Sequence, residues 1–188
     1  LKTVLTCKVS ALGAMADVVE HSSQYWTEKD LKATASYLKT LSPAPNKSLE
    51  LATQKDTTTN LLLSDKFRDP GAILYMENCN ICHRADGAGV PRIFPALNQN
   101  TAITAQNAQS VIQVTLEGGK MPNTPADRMA FAMPSFNHLS DNEVALVINF
   151  IRNSWNNVSP EITAQDVAEI RHFLANKAPN ISSVKEDK

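Results

Sequence analysis

The sequence predicts an all-α protein, on three observations. In three places apolar residues recur at helical spacing behind a good N-cap, no stretch alternates as a half-buried strand does, and prolines stand where those helices end or begin. The first helix is expected over 28–41. Thr27 caps it with Asp30 three residues on, Leu31, Ala35, Leu38 and Leu41 form its apolar stripe, and "LSPAPN" at 41–46 stops it.

Residues 46–68 are rich in Thr, Lys, Ser and Asp and read as a linker, although "LLL" at 61–63 should pack down in part. Asp69 and Pro70 then serve as N-cap and N1 of a second helix, which runs through Ile73, Leu74 and Met76 to a pair of cysteines. A weaker helix is expected over about 104–117. The third strong one starts at a capping box of Ser140 and Glu143, with Val144, Val147, Ile148 and Ile151 on its apolar side. A last weak helix covers 163–176, capped by Thr163 or by Ser159 ahead of Pro160, and "SSVKEDK" reads as a solvated, frayed end. Gly71 and Tyr75 lie four apart on the second helix, and Val147 and Phe150 three apart on the third. A glycine lets two helices approach and aromatic rings fill the crossing, so these two helices are expected to cross there.

Composition narrows the function. The chain has 188 residues, 43% of them hydrophobic, with 18 basic and 19 acidic side chains. Scattered Lys and Arg argue against nucleic-acid binding. The longest apolar runs, such as "VALVINFI" at 144–151, fall short of the ~20 residues that cross a bilayer, so membrane association would come through a partner or a missing segment. The opening "LKTVLTCKVSALGAMADVV" lacks the charged start and cleavage site of a secretory signal, and is read as the start of a processed product or of a fragment. Three cysteines rule out a disulfide framework and leave Cys7 as a thiol without chemistry.

The motif that carries chemistry is "CNICH": Cys79, Cys82 and His83 in the spacing C-x-x-C-H, the signature of covalent haem attachment. Both sulfurs lie on one side of a helical turn and reach the porphyrin edge, forming thioethers with its vinyl groups, while His83 faces the iron. The free imidazole nitrogen needs an acceptor, and a backbone carbonyl in "GAGVPRIFP" is expected, that of Pro91 first. Phe94 in the same stretch is counted with Pro91 among the cofactor-binding residues, and Gly87 and Gly89 allow a sharp turn beside the haem.

Two other readings of the motif are weaker. A zinc site would need further ligands from Cys7, His21, His138 and His172, which form no second paired spacing. A thioredoxin-like pair would open a helix after a strand, whereas this pair closes one. For the sixth iron position a methionine sulfur is soft and neutral, and the candidates are Met15, Met121, Met129 and Met133. Met133, followed by Pro134 in a loop just ahead of the third strong helix, is preferred. Met121, also followed by proline, is its rival. His138, His21 and His172 read as surface groups.

One internal similarity complicates the layout. "YWTEKDLKATASYLKTL" at 25–41 and "HLSDNEVALVINFIRNS" at 138–154 share a cap, an acidic first turn and an aromatic two residues before a basic one. A methionine precedes each, Met15 and Met133. The opening of the chain therefore looks like the back half of a unit that 69–157 contains whole.

"CNICH", "GAGVPRIFPAL", "MPSF" and "LSDNEVALVINFIRNSW" together resemble the cytochrome c family in its class I arrangement, over about 69–157. Their wording is closer still to the last domain of the multi-haem cytochrome subunits that accompany membrane-bound alcohol, aldehyde, gluconate and sorbitol dehydrogenases. The resemblance implies one covalent haem c within three to four main helices, with His83 and Met133 on the iron. It implies a partial cytochrome-like segment over 1–45 without a C-x-x-C-H, where Met15 would serve a haem whose motif lies outside the chain, and a helical extension and tail over 158–188.

It further implies an electron carrier, not an enzyme, on the periplasmic side. Electrons would come from a catalytic dehydrogenase subunit or another redox protein and pass to ubiquinone or the respiratory chain. Alternatives are a freestanding monohaem cytochrome, a haem sensor with a labile sixth position, and a peroxidase-like role that would need His138 beside an open iron. Asn156 departs from the family's glycine after "SW", a mild change because Asn also tolerates the left-handed conformation.

Overall fold

The computed structural model describes residues 11, 14–42, 56–64, 66–121, 124–125 and 131–177. Cys7, Met129 and the "SSVKEDK" tail lie outside the described residues. In chain order the helices are α1 (Ala14–His21), a single 3-10 turn (Ser23–Tyr25), α2 (Glu28–Thr40), α3 (Thr58–Leu62), α4 (Pro70–Asn78), α5 (Asn80–His83), α6 (Gln109–Glu117), α7 (Asp141–Arg152) and α8 (Ala164–Asn176). The all-α class holds, with one small addition. Strands β1 (Gly119–Lys120) and β2 (Ala132–Met133) pair antiparallel, Gly119 opposite Met133, and two residues each are too few to leave an alternating pattern in the sequence.

The helix ends follow their caps. Asp69 Oδ1 accepts the Ala72 amide at 2.9 Å, and capping boxes close α2, α7 and α8 at Thr27 and Asp30, Ser140 and Glu143, and Thr163 and Asp166. The helix expected from 104 starts at Gln109 instead. Asn100 holds the preceding residues in turns, its carbonyl accepting from Ile103 and Thr104 and its side chain from Ala102, and Asn107 Oδ1 then takes the Gln109 amide at 2.7 Å. The linker contributes α3, whose Leu62 is fully buried and whose Thr58 hydroxyl accepts from the Trp155 amide.

Two of these boxes titrate. Glu143 Oε2 accepts from the Ser140 hydroxyl and amide at 2.7 and 2.8 Å, and Asp166 Oδ2 accepts from the Thr163 amide and hydroxyl, both at 2.7 Å. Those bonds hold both carboxyls below their usual range. A depressed folded pKa means that the boxes stabilise fully above the ordinary carboxylate pKa of about 4 and lose that contribution as pH falls through the lowered values. In an NMR titration the Ser140 and Thr163 amide protons are expected to shift with midpoints below those of free Glu and Asp. Ordinary midpoints would mean that the boxes do not form in solution.

The core forms where α4 crosses α7. A Cβ on Gly71 would stand 2.5 Å from the Leu146 carbonyl oxygen and 2.8 Å from Phe150 Cβ, so only glycine admits this approach. Beside the crossing Tyr75 packs on Phe150 and Trp155, ring centroids 5.5 and 5.2 Å away. Val144 and Ile148 of α7 are completely buried, each contributing about 1.5–3 kcal/mol through removal from water. The other side of α7 meets α8, where Asn149 exchanges two 2.8 Å hydrogen bonds with the backbone of Ile162.

Past α7, Trp155 and Asn156 take left-handed φ of 52° and 65°, the conformation asparagine was expected to tolerate. The α7 and α2 sequences are alike, yet α7 buries six residues and α2 none. In α2 the counterparts of Phe150 and Arg152, Tyr37 and Lys39, are exposed.

Candidate haem site

Chain geometry around "CNICH" sets the site. The helical ladder of α4 runs on to Cys79, whose amide donates to the Tyr75 carbonyl at 2.8 Å. A new turn starts there, with the Cys82 and His83 amides donating to the Cys79 carbonyl at 3.2 and 3.0 Å. Arg84, at φ 65°, ends it. Two anchors fix this corner from the core, Tyr75 Oη donating to the Arg84 carbonyl at 2.6 Å and Trp155 Nε1 to the Ala85 carbonyl at 3.0 Å.

The chain then doubles back through Gly87 and Gly89, both at φ 61°. A Cβ on Gly87 would meet the Trp155 ring at 2.6 Å, and one on Gly89 the Phe94 carbonyl oxygen at 2.4 Å. This return brings the Pro95 carbonyl to 2.9 Å from His83 Nδ1. The acceptor is therefore Pro95 and not Pro91. Val90 and Phe94 bridge across a tight turn that leaves Pro91 exposed and off the cavity wall, so Pro91 does not belong with the cofactor-facing residues.

Cys79, Cys82, His83, Phe94 and Met133 all line one cavity of about 820 Å³. Further wall comes from Ile81, Ile93 and Pro95, from Val114 and Gly118 at the end of α6, and from Phe131 and Phe136 around β2. Met121 lines it as well. Met15 is half exposed on α1 and off the wall, although its neighbours Ala16 and Asp17 reach it. His21, His138 and His172 are exposed and take no part.

The electrostatics suit a neutral ligand set. Burial, partly opposed by the bond to Pro95, lowers the His83 pKa and keeps the imidazole neutral. With Nδ1–H donating to Pro95, the Nε2 lone pair is left for a metal. Burial, reinforced by neighbouring Cys82, pushes the Cys79 thiol up to about 12, away from the thiolate that a redox pair or zinc ligand requires. Among the described residues no three His, Cys, Asp or Glu side chains gather as a metal-binding set. A large, mainly apolar cavity with two cysteines and an oriented imidazole on its wall fits a covalently held haem.

The cytochrome c family model matches residues 69–155. Residues 69–155 are a cytochrome c domain. Such a domain carries covalent haem c. The chain containing it is 42% identical over 164 residues to the cytochrome c subunit of a quinone alcohol dehydrogenase from Gluconobacter oxydans, covering 86% of this chain and 34% of that subunit. It is 38% identical over 165 residues to the cytochrome c subunit of gluconate 2-dehydrogenase from Pantoea cypripedii, covering 86% and 37%. Cytochrome c-552 of Thermus thermophilus is 28% identical over 110 residues, 54% of this chain and 83% of that protein. The chain thus spans about a third of the length of the two dehydrogenase subunits.

Several residues around the cytochrome c cavity escaped the sequence reading. Pro95 acts through its carbonyl, whose direction depends on the loop path and leaves no mark in residue type. The adjacent Gly118 and Gly119 were legible in principle: a Cβ on Gly118 would lie 2.5 Å from the Met133 carbonyl oxygen, so the close pairing of β1 with β2 requires glycine there.

Proposed function

We propose that the protein transfers electrons through one haem c attached at Cys79 and Cys82, with His83 and Met133 as axial ligands. The observation that carries this is the cavity whose wall holds both cysteines, the Pro95-oriented imidazole of His83, and Met133. When bound, haem iron exchanges single electrons between its ferric and ferrous states. His83 would supply a neutral nitrogen held by Pro95, the two sulfurs would fix the ring edge, and Phe94 and Phe136 would exclude water.

Both methionines sit on one short ladder, the Met121 amide donating to the Phe131 carbonyl at 3.3 Å, and Met133 is preferred because the chain beyond it is tied down as well. Met133 pairs with Gly119, and two residues on, the Ser135 hydroxyl donates to the Leu116 carbonyl at 2.6 Å. By similarity to the dehydrogenase subunits, we infer that electrons arrive from a catalytic dehydrogenase subunit and leave towards ubiquinone and the respiratory chain, on the periplasmic side. The protein would there be one part of a longer multi-haem chain, with the cytochrome unit over 69–157, the partial unit over 1–45, the linker 46–68 and the extension 158–188.

Met133→Ala in the haem-loaded chain is expected to abolish the long-wavelength sulfur-to-iron absorption and to lower the reduction potential, since methionine paired with histidine raises it. Absorption that survives the substitution sinks the Met133 assignment and moves the test to Met121.

A further inference from the structure

The segment between Met133 and α7, residues 134–140, carries Met133 into the cavity wall and is held at both ends. At its start the Phe136 amide donates to the Thr115 carbonyl at 3.0 Å and Ser135 to Leu116, tying it to α6. At its far end the tie comes from Arg171 of α8, outside the stretch that matches the cytochrome c family. Arg171 Nε donates to Asp141 Oδ1 at 2.7 Å, Nη1 to the Asn137 carbonyl at 3.0 Å and also to the Asn137 side-chain oxygen, and Nη2 to the Leu139 carbonyl at 2.8 Å. One planar guanidinium thus gathers the segment and the first residue of α7. Lysine, with a single point charge, cannot reproduce that fork.

We propose that Arg171 is a positioning residue for the sixth ligand: through Asn137 and Leu139 it fixes the end of the loop that presents Met133, and so sets how firmly the methionine sulfur stays on the iron. The inference rests on the assignment of Met133 as ligand. The C-terminal extension then acts as a strap on the ligand loop, beyond its packing on α7. Its base is in place, since Val167 is completely buried and Asn149 bonds the Ile162 backbone.

The test follows the long-wavelength absorption of the ferric, haem-loaded 188-residue chain against temperature, beside helix content by far-ultraviolet circular dichroism, and carbon monoxide binding to the ferrous form. In Arg171→Met the absorption is expected to fade at a lower temperature while the helix-loss midpoint moves less, and carbon monoxide to bind roughly tenfold faster, the scale of a charge-assisted hydrogen-bond set that is partly solvent-screened. Arg171→Lys, which keeps the charge beside Asp141, is expected to fall between wild type and Arg171→Met. If absorption and helix loss shift together, or neither moves, the positioning role is wrong. Should Arg171→Met fail to fold, the lysine variant decides by the same comparison. Absorption that persists in Met133→Ala overturns the ligand assignment itself, whereas absorption lost in Met133→Ala but unmoved in Arg171→Met overturns only the strap.

Discussion

Gly71→Val is expected to destabilise the protein by about 3 kcal/mol, at the upper end of overpacking effects. The reason is steric and local. The new Cβ would sit 2.5 Å from a backbone oxygen of α7 and 2.8 Å from Phe150 Cβ, and neither is the free end of a flexible side chain that swings aside. The helices must separate, which loosens the Tyr75 contacts with Phe150 and Trp155. Because α4 runs straight into Cys79, the displacement reaches the haem-attachment turn. For a chain of this size the loss corresponds to a fall in melting temperature of about 6–12 °C, measurable by circular dichroism on the haem-loaded protein. An unchanged melting temperature would mean that α4 and α7 do not cross at Gly71.

Arg152→Leu is expected to cost a comparable amount, about 2–4 kcal/mol, by leaving the buried Ile103 carbonyl, and in part those of Ala105 and Pro160, without a donor. Arg152 is completely buried, and burial lowers its pKa. Its Nη1 donates to the carbonyls of Ile103 and Ala105 at 2.7 and 2.9 Å, and Nη2 to that of Pro160 at 3.3 Å. One guanidinium thereby joins the loop before α6 to the segment leading into α8.

Two effects oppose the loss. Among the described residues no carboxylate pairs with the buried charge and Nε has no hydrogen-bond partner, so removing the guanidinium relieves some desolvation. The Ile103 carbonyl still decides the sign, since that residue is buried and its bond to the arginine is gone. Denaturant unfolding should show a lower midpoint at an unchanged slope. A stability equal to wild type would show that the desolvation relief matches the lost bonds.

Much of this architecture was legible in the residues. Thr27, Asp69, Ser140 and Thr163 announced helix starts because a cap is a local contest between side chain and backbone, resolved within four residues. Gly71 opposite Phe150 was legible because only one feature, a missing Cβ, had to match. Spacing was enough to predict that Cys79, Cys82 and His83 share one side of a turn, and all three line one cavity. It was misread where it depends on a backbone path: choosing Pro95 over Pro91 as the His83 partner turns on the reversal through Gly87 and Gly89.

Arg152 and Arg171 were missed for a related reason. A basic residue on a helix reads as a solvated group, and nothing nearby in sequence reveals that carbonyls 32 and 34 residues away converge on Arg171 and others 47 and 49 away on Arg152. The repeat between α2 and α7 shows the converse. The same pattern gives a buried helix where α4 and α8 flank it, and an exposed one where, among the described residues, α2 buries nothing.

The split origin of the cavity wall also has a consequence in time. Two of the bonds that shape the attachment turn are of short reach, Tyr75 to Arg84 being nine residues and His83 to Pro95 twelve, while the Trp155 bond to Ala85 spans 70. The wall that faces the cofactor with Met133 arrives much later in the chain and depends on α6, on α7 and finally on Arg171. Contacts of short sequence separation close early and distant ones late. The local bonds of the cysteine turn are therefore expected to form before the Trp155 anchor and before the wall that carries Met133.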